Sequence, residues 1–154
     1  TTRLVGAEMC IRDSYDSYVV AGILEGAGVA ESLPLWTEAN METFRSVVRQ
    51  MEGKISYATK LDELAEIDEL FHATLFMACD NTRLVEMART SCATISKYLY
   101  YQHWITMFTP REYADRHHAV AEAVYSRDVK HVETALRDHY KETGLRMAQF
   151  GKEA

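Results

Sequence analysis

Residues 110–150 read PREYADRHHAVAEAVYSRDVKHVETALRDHYKETGLRMAQF. Ala114, His117, Ala121 and Val124 recur at three- and four-residue steps, the spacing that places side chains on one face of an α-helix. Proline is tolerated in a first helical turn, where its missing N–H would have had no intrahelical partner, so Pro110 opens this helix and it runs to Tyr125. Ser126-Arg127-Asp128 is a short break, and Asp128 is placed to cap the next helix. A second stripe then runs from Val129 to about Phe150, with Val132, Ala135, Leu136, His139 and Thr143 facing inward. Two amphipathic helices with so short a link predict an antiparallel hairpin, the repeating unit of a helical bundle.

The rest of the chain extends the same pattern. Upstream, Thr82–Tyr101 reads as a helix rich in Ser, Thr and Tyr, followed by a connection over His103–Thr109. Lys60–Ala78 carries the stripe Leu61, Leu64, Ala65, Asp68, Phe71, His72, Leu75 and Phe76, with Asp80-Asn81 as a stop and cap. Pro34 is expected to open a helix whose stripe is Leu35, Met41, Phe44, Val47, Val48 and Met51 and which ends at Gly53, before a polar loop over Lys54–Thr59. The first helix is expected from Asp13 to about Ala30, with Tyr18, Val19, Ala21, Ile23, Leu24, Ala27 and Val29 on its apolar face. Residues 1–12 show no period and are expected to be irregular. The prediction is an all-α, antiparallel bundle of six helices, with a seventh left open, occupying 13–154 as one domain.

Composition sets the wider bounds. The 154 residues are 47% apolar and 26% charged, with 7 Gly and 2 Pro. Those proportions suit a globular chain and exclude a disordered or collagen-like one. Scarce turn residues argue against an all-β fold. A net charge of −6 makes the chain a poor partner for phosphate backbones, so nucleic-acid binding by this stretch alone is not expected. Three cysteines (Cys10, Cys79 and Cys92) with no CxxC spacing fit reduced thiols. With no run of roughly 18 apolar residues and no leader pattern, a cytoplasmic protein is expected.

Of the six histidines, His72, His117 and His139 lie on apolar faces. Asp68 precedes His72 by four residues, so the two side chains share a face one turn apart. His117 stands eight residues before Tyr125 and His139 eleven after Asp128, two to three turns either side of one connection. Each residue alone has a plain reading: a histidine on an apolar face is most often a core residue bonded to a carbonyl. Taken together the set is harder to explain so. An inward Asp costs several kcal/mol unless paired, no inward Lys or Arg is evident, and a divalent cation would satisfy all four groups.

Two other patterns compete. Glu69-Leu70-Phe71-His72 matches E-x-x-H of di-iron bundles, but that architecture needs a second copy, which is lacking. In His117-His118 the side chains diverge by about 100°, so both cannot face one ion, and His118 suits an edge position. His103 and His131 read as loop or surface residues.

Three blocks resemble the effector-binding domain of GntR-superfamily transcription regulators of the FCD (FadR C-terminal domain) group. Ile23-Leu24-Glu25-Gly26 resembles its L-E-G segment. Ile67 to His72, followed by Asn81, resembles its D-x-x-F-H…N block. His117 to Ala123, then Asp128, Ala135 and His139, resembles its H-x-x-I-x-x-A-I…D…A…H block. In the metal-binding members one Asp and three His from these blocks hold a divalent ion, which implies Asp68, His72, His117 and His139 here. This is the set the helix faces select independently. The chain departs from the pattern before L-E-G, where Tyr18-Val19-Val20-Ala21 replaces a common Arg, and the family's winged-helix DNA-binding domain lies outside this chain. The resemblance further implies a homodimer that reaches DNA only through that other domain.

Four such ligands leave one or two positions open on a five- or six-coordinate ion, and one carboxylate against a dication leaves a charge of about +1. A small organic acid is therefore the expected effector, with Arg89, Thr94 and Tyr98 of the fourth helix as further contacts. Zn is the default metal, and Ni and Mn also suit imidazole with one carboxylate. No enzymatic activity is expected. The alternative is a metal-dependent hydrolase or lyase; it needs a general base at the open position, and Glu69 points about 100° away from Asp68. A purely structural helical module is the third reading.

Overall fold

The computed structural model describes residues 2–96 and 106–150, with side chains over 15–91 and 106–149. Among them are six α-helices and no strand: α1 (Thr2–Ser32), α2 (Glu38–Ile55), α3 (Ala65–Leu75), α4 (Thr82–Ser96), α5 (Pro110–Tyr125) and α6 (Val129–Phe150). Short 3₁₀ turns occupy Leu33–Leu35 and Leu61–Leu64. The all-α bundle expected from periodicity is what forms, and the α5–α6 hairpin has the predicted boundaries.

Local chemistry accounts for the ends. Thr109 caps α5 in a reciprocal box. Its Oγ1 accepts from Glu112 N at 3.2 Å, and Glu112 Oε2 accepts from Thr109 N at 2.8 Å. Thr37 and Asn40 make the same arrangement at α2. Asp128 Oδ1 accepts from the amides of Lys130 and His131, the cap predicted for α6. Asn81 Oδ1 accepts from Leu84 N at the start of α4. Between α5 and α6, Arg127 sits at φ 56°, the left-handed conformation that closes a helix and that non-glycine residues adopt at a cost.

Several boundaries differ from those that periodicity predicts. Helix α1 starts at Thr2, in place of an irregular segment over 1–12. Arg3, Leu4, Ala7, Glu8 and Met9 favour helix intrinsically, and such propensity needs no burial pattern to act. Pro34 lies in a 3₁₀ turn and does not open α2; the Thr37 cap does, and Leu35 is exposed. The helix expected over 60–78 divides into a 3₁₀ turn and α3, which ends at Leu75. There the buried Ser32 hydroxyl donates to the Leu75 carbonyl at 3.2 Å and supplies a partner to the freed helix end. The Ser/Thr/Tyr-rich helix is described to Ser96; its predicted end and His103 lie outside the described residues.

The first and last helices pack antiparallel along their length, and α1 also contacts α4. The pairing is close because glycines face it. A Cβ on Gly22 would lie 2.9 Å from Tyr140 Cβ, and one on Gly144 3.0 Å from Tyr18 Cβ. Helix α5 packs on α6 and α2, and α2 on α3. Phe44 centres the core, its ring 5.6 Å from Trp36, 5.4 Å from Phe71 and 5.8 Å from Tyr125. The segment Tyr15–Leu35 is long and apolar enough to span a bilayer. In this structure α1 packs against α4 and α6 and carries the buried Glu25.

Candidate metal centre

Helices α1, α3, α5 and α6 enclose a cavity of about 120 Å³. Asp68 and His72 line it from α3, Tyr113, Arg116 and His117 from α5, and His139, Tyr140 and Thr143 from α6. The i, i+4 step brings Asp68 and His72 to one face, and the α5–α6 reversal sets His117 beside His139. Their ring centroids are 4.8 Å apart, and those of His72 lie 5.5 Å from His117 and 5.3 Å from His139. One ring nitrogen from each histidine falls within 4.8 Å of the others. Nitrogens bound about 2.0–2.1 Å from one ion sit about 3.4 Å apart in tetrahedral geometry, so rotamer adjustments of roughly an ångström close the set.

Asp68 completes it. Its Oδ1 lies 3.0 Å from His117 Nε2 and 3.9 Å from His72 Nε2, and its side chain is 29% exposed, at the cavity wall. His117 Nε2 is buried, and the Asp68 oxygen is its near polar neighbour. Buried His139 Nδ1 has no hydrogen-bond partner among the described residues. Both residues line the cavity, where a cation would give such a nitrogen a partner.

The other edges of two rings are held. His117 Nδ1 donates to the Tyr113 carbonyl at 2.8 Å, which leaves Nε2 as the basic nitrogen on the cavity side. His72 Nδ1 contacts Glu25 Oε1 at 2.7 Å, and the Tyr140 hydroxyl donates to Glu25 Oε2 at 2.6 Å. A carboxylate behind an imidazole fixes its tautomer and raises its basicity. Sequence reasoning misses Glu25 as a member of the site. The available signal is a carboxylate within the apolar stretch of α1.

The titration behaviour reflects these contacts. Burial lowers His72, but the Glu25 carboxylate outweighs it and His72 is pushed up to about 9. His117 is lowered by burial, and His139 is held well below the usual imidazole range by burial and by the positive charge around it. Burial raises Asp68, yet the His117 contact and the charge on His72 together keep it below the ordinary carboxylate range. At neutral pH the cavity thus presents an ionised carboxylate, two neutral imidazoles and a protonated His72, whose Nε2 proton an incoming cation would have to displace.

Other expectations resolve differently. Helical periodicity shows no inward Lys or Arg, yet Arg116 lines the cavity, its long side chain folding back from the position beside His117. His118 is half-buried with Nε2 3.4 Å from Glu52, and His131 is exposed. Arg89 is exposed on α4 and does not line the cavity; the Thr94 side chain and Tyr98 lie outside the described residues.

The FCD domain family model matches residues 16–142, and the chain belongs to that family, the effector-binding domains of GntR-type transcription regulators. No curated protein matches the chain. Domains of this class sense ligands, and in full-length regulators a separate N-terminal domain contacts DNA.

Proposed function

We propose that this domain senses a small organic acid through a divalent metal held by Asp68, His72, His117 and His139. The observation that carries the reading is the meeting of three histidine nitrogens within 4.8 Å, with His117 and His72 braced from behind by Tyr113 and Glu25. An ion bound there would supply a Lewis-acidic position for a carboxylate oxygen. The chain's own residues orient the imidazoles and keep Asp68 ionised. Zn suits the donors best, and Ni and Mn fit the same set. Effector contacts from Thr94 on α4 and from Tyr98 belong to the same proposal, whereas Arg89, exposed and outside the cavity wall, could meet an effector only beyond it. So does a homodimer in which binding favours one packing of the helices over another and thereby alters DNA affinity in the full-length regulator.

Metal analysis of the purified chain tests the site. About one ion per chain is expected in the wild type, with loss in His72→Ala and His139→Ala; wild-type metal content in both variants would remove it. A thermal-shift screen of carboxylates on the metal-loaded chain is expected to find stabilising acids without turnover. Product formation that disappears in Asp68→Ala would replace the sensor reading with an enzymatic one.

A further inference from the structure

Arg116 stands in the wall of this cavity with most of its side chain covered (12% exposed). Its Nε donates to Glu142 Oε2 at 3.0 Å, and its Nη2 donates to the His139 carbonyl and to Thr143 Oγ1. The guanidinium plane lies over the Phe108 ring, 4.0 Å from its centroid. Among the described residues only Nη1 makes no hydrogen bond. The group is therefore held in place and charged, with one donor nitrogen left over in a side chain that lines the cavity.

Charge shows what that donor is for. A dication with Asp68 and the buried Glu25 sums to about zero, so those groups alone attract a second anion weakly. Glu142 offsets Arg116 only in part: it is 44% exposed, hence screened by water, and it is shared with Arg146 at 3.1 Å. Arg116 adds a fixed positive charge to the cavity wall. A volume of about 120 Å³ matches the bulk-liquid share of roughly four waters, room for an acid of a few carbons.

We propose that Arg116 is a second anchor, and that the cavity selects short dicarboxylates, one carboxylate on the histidine side and the other on Nη1 of Arg116. This rests on the metal-dependent sensor reading above. The test is calorimetric titration of the zinc-loaded chain with acetate, propionate, oxalate, malonate and succinate, with zinc content measured after each run. At least one diacid is expected to bind about tenfold or more tightly than the monoacids, the range of one charged hydrogen bond. Arg116→Gln is expected to abolish that preference by weakening the diacids severalfold more than the monoacids, compared at equal zinc occupancy. Because Arg116 also braces His139 and Thr143, Arg116→Lys is the companion variant. An ammonium cannot serve those partners and an anion together, so the preference should shrink severalfold there with zinc retained. Equal binding of mono- and diacids by the wild type, or a preference unchanged in the folded variants, overturns the inference alone. A zinc-loaded wild type that binds no acid overturns the sensor reading with it.

Discussion

At the scale of single residues, Glu25 has the clearest consequence. It is 3% exposed and ties together His72 and Tyr140, partners 47 and 115 residues away. Replacing it by Gln keeps the shape but removes the charge that holds His72 Nδ1–H and makes Nε2 a better donor. Glu25→Gln is expected to weaken metal binding by about 10–100-fold, read by competition with a chromogenic chelator. Melting of the metal-free variant is the control, since a loss confined to folding would lower that temperature without changing the competition. The four proposed ligands are visible in the sequence because each lies at helical spacing within its own segment. Glu25 and Arg116 are not visible as site residues. Neither has a local partner in the cavity, and a long or charged side chain on a helix reads as solvent-facing until its neighbours are known.

At the scale of elements, the helix ends and the α1–α6 seam carry separate predictions. The Thr109–Glu112 box starts α5, the helix that bears Arg116 and His117. Hydrogen bonds from Thr109, first its backbone N–H and then its hydroxyl, hold the Glu112 carboxyl below its ordinary range, with Arg146 adding to the shift. A carboxyl depressed in the folded state contributes stability that is present above its unfolded pKa and is lost as pH falls through the folded one. Thr109→Ala is therefore expected to cost about 1 kcal/mol at neutral pH and to flatten the acid side of a melting-temperature profile below about pH 4.5. On the seam, Gly22→Ala sets a methyl 2.9 Å from Tyr140 Cβ in backbone-level packing. Overpacking of this kind costs about 1–3 kcal/mol, and Tyr140 would be pushed from Glu25. Denaturant unfolding should show the loss, and metal affinity should fall with it. Asp128 and Asn81 are legible as caps because a cap is a contact over two or three residues; Thr37 and Thr109 carry the same local signal, but the neighbouring prolines take their place in the sequence reading. Closeness of α1 to α6 is not legible, because glycine spacing carries no record of which helix it faces.

For the whole molecule, the proposed ion would join α3, α5 and α6, three helices that otherwise meet through apolar contacts and a few polar bonds. Ligand bound only to the folded state stabilises by mass action, about 4 kcal/mol at a thousandfold excess over Kd. For a domain of this size that corresponds to roughly 8–16 °C. Chelation by EDTA is expected to lower the melting temperature by that order and zinc to restore it, with His139→Ala insensitive to both. The helical class, the boundaries of the α5–α6 hairpin, the family resemblance and the four residues proposed to meet can all be read along the chain. Each rests on periodicity, end signals or motifs confined to short segments. That α3 faces the hairpin across a small cavity, that Glu25 stands behind His72 and that Arg116 turns inward emerge only once the helices are packed. Packing depends on surfaces far apart in the chain, which no single helical repeat encodes.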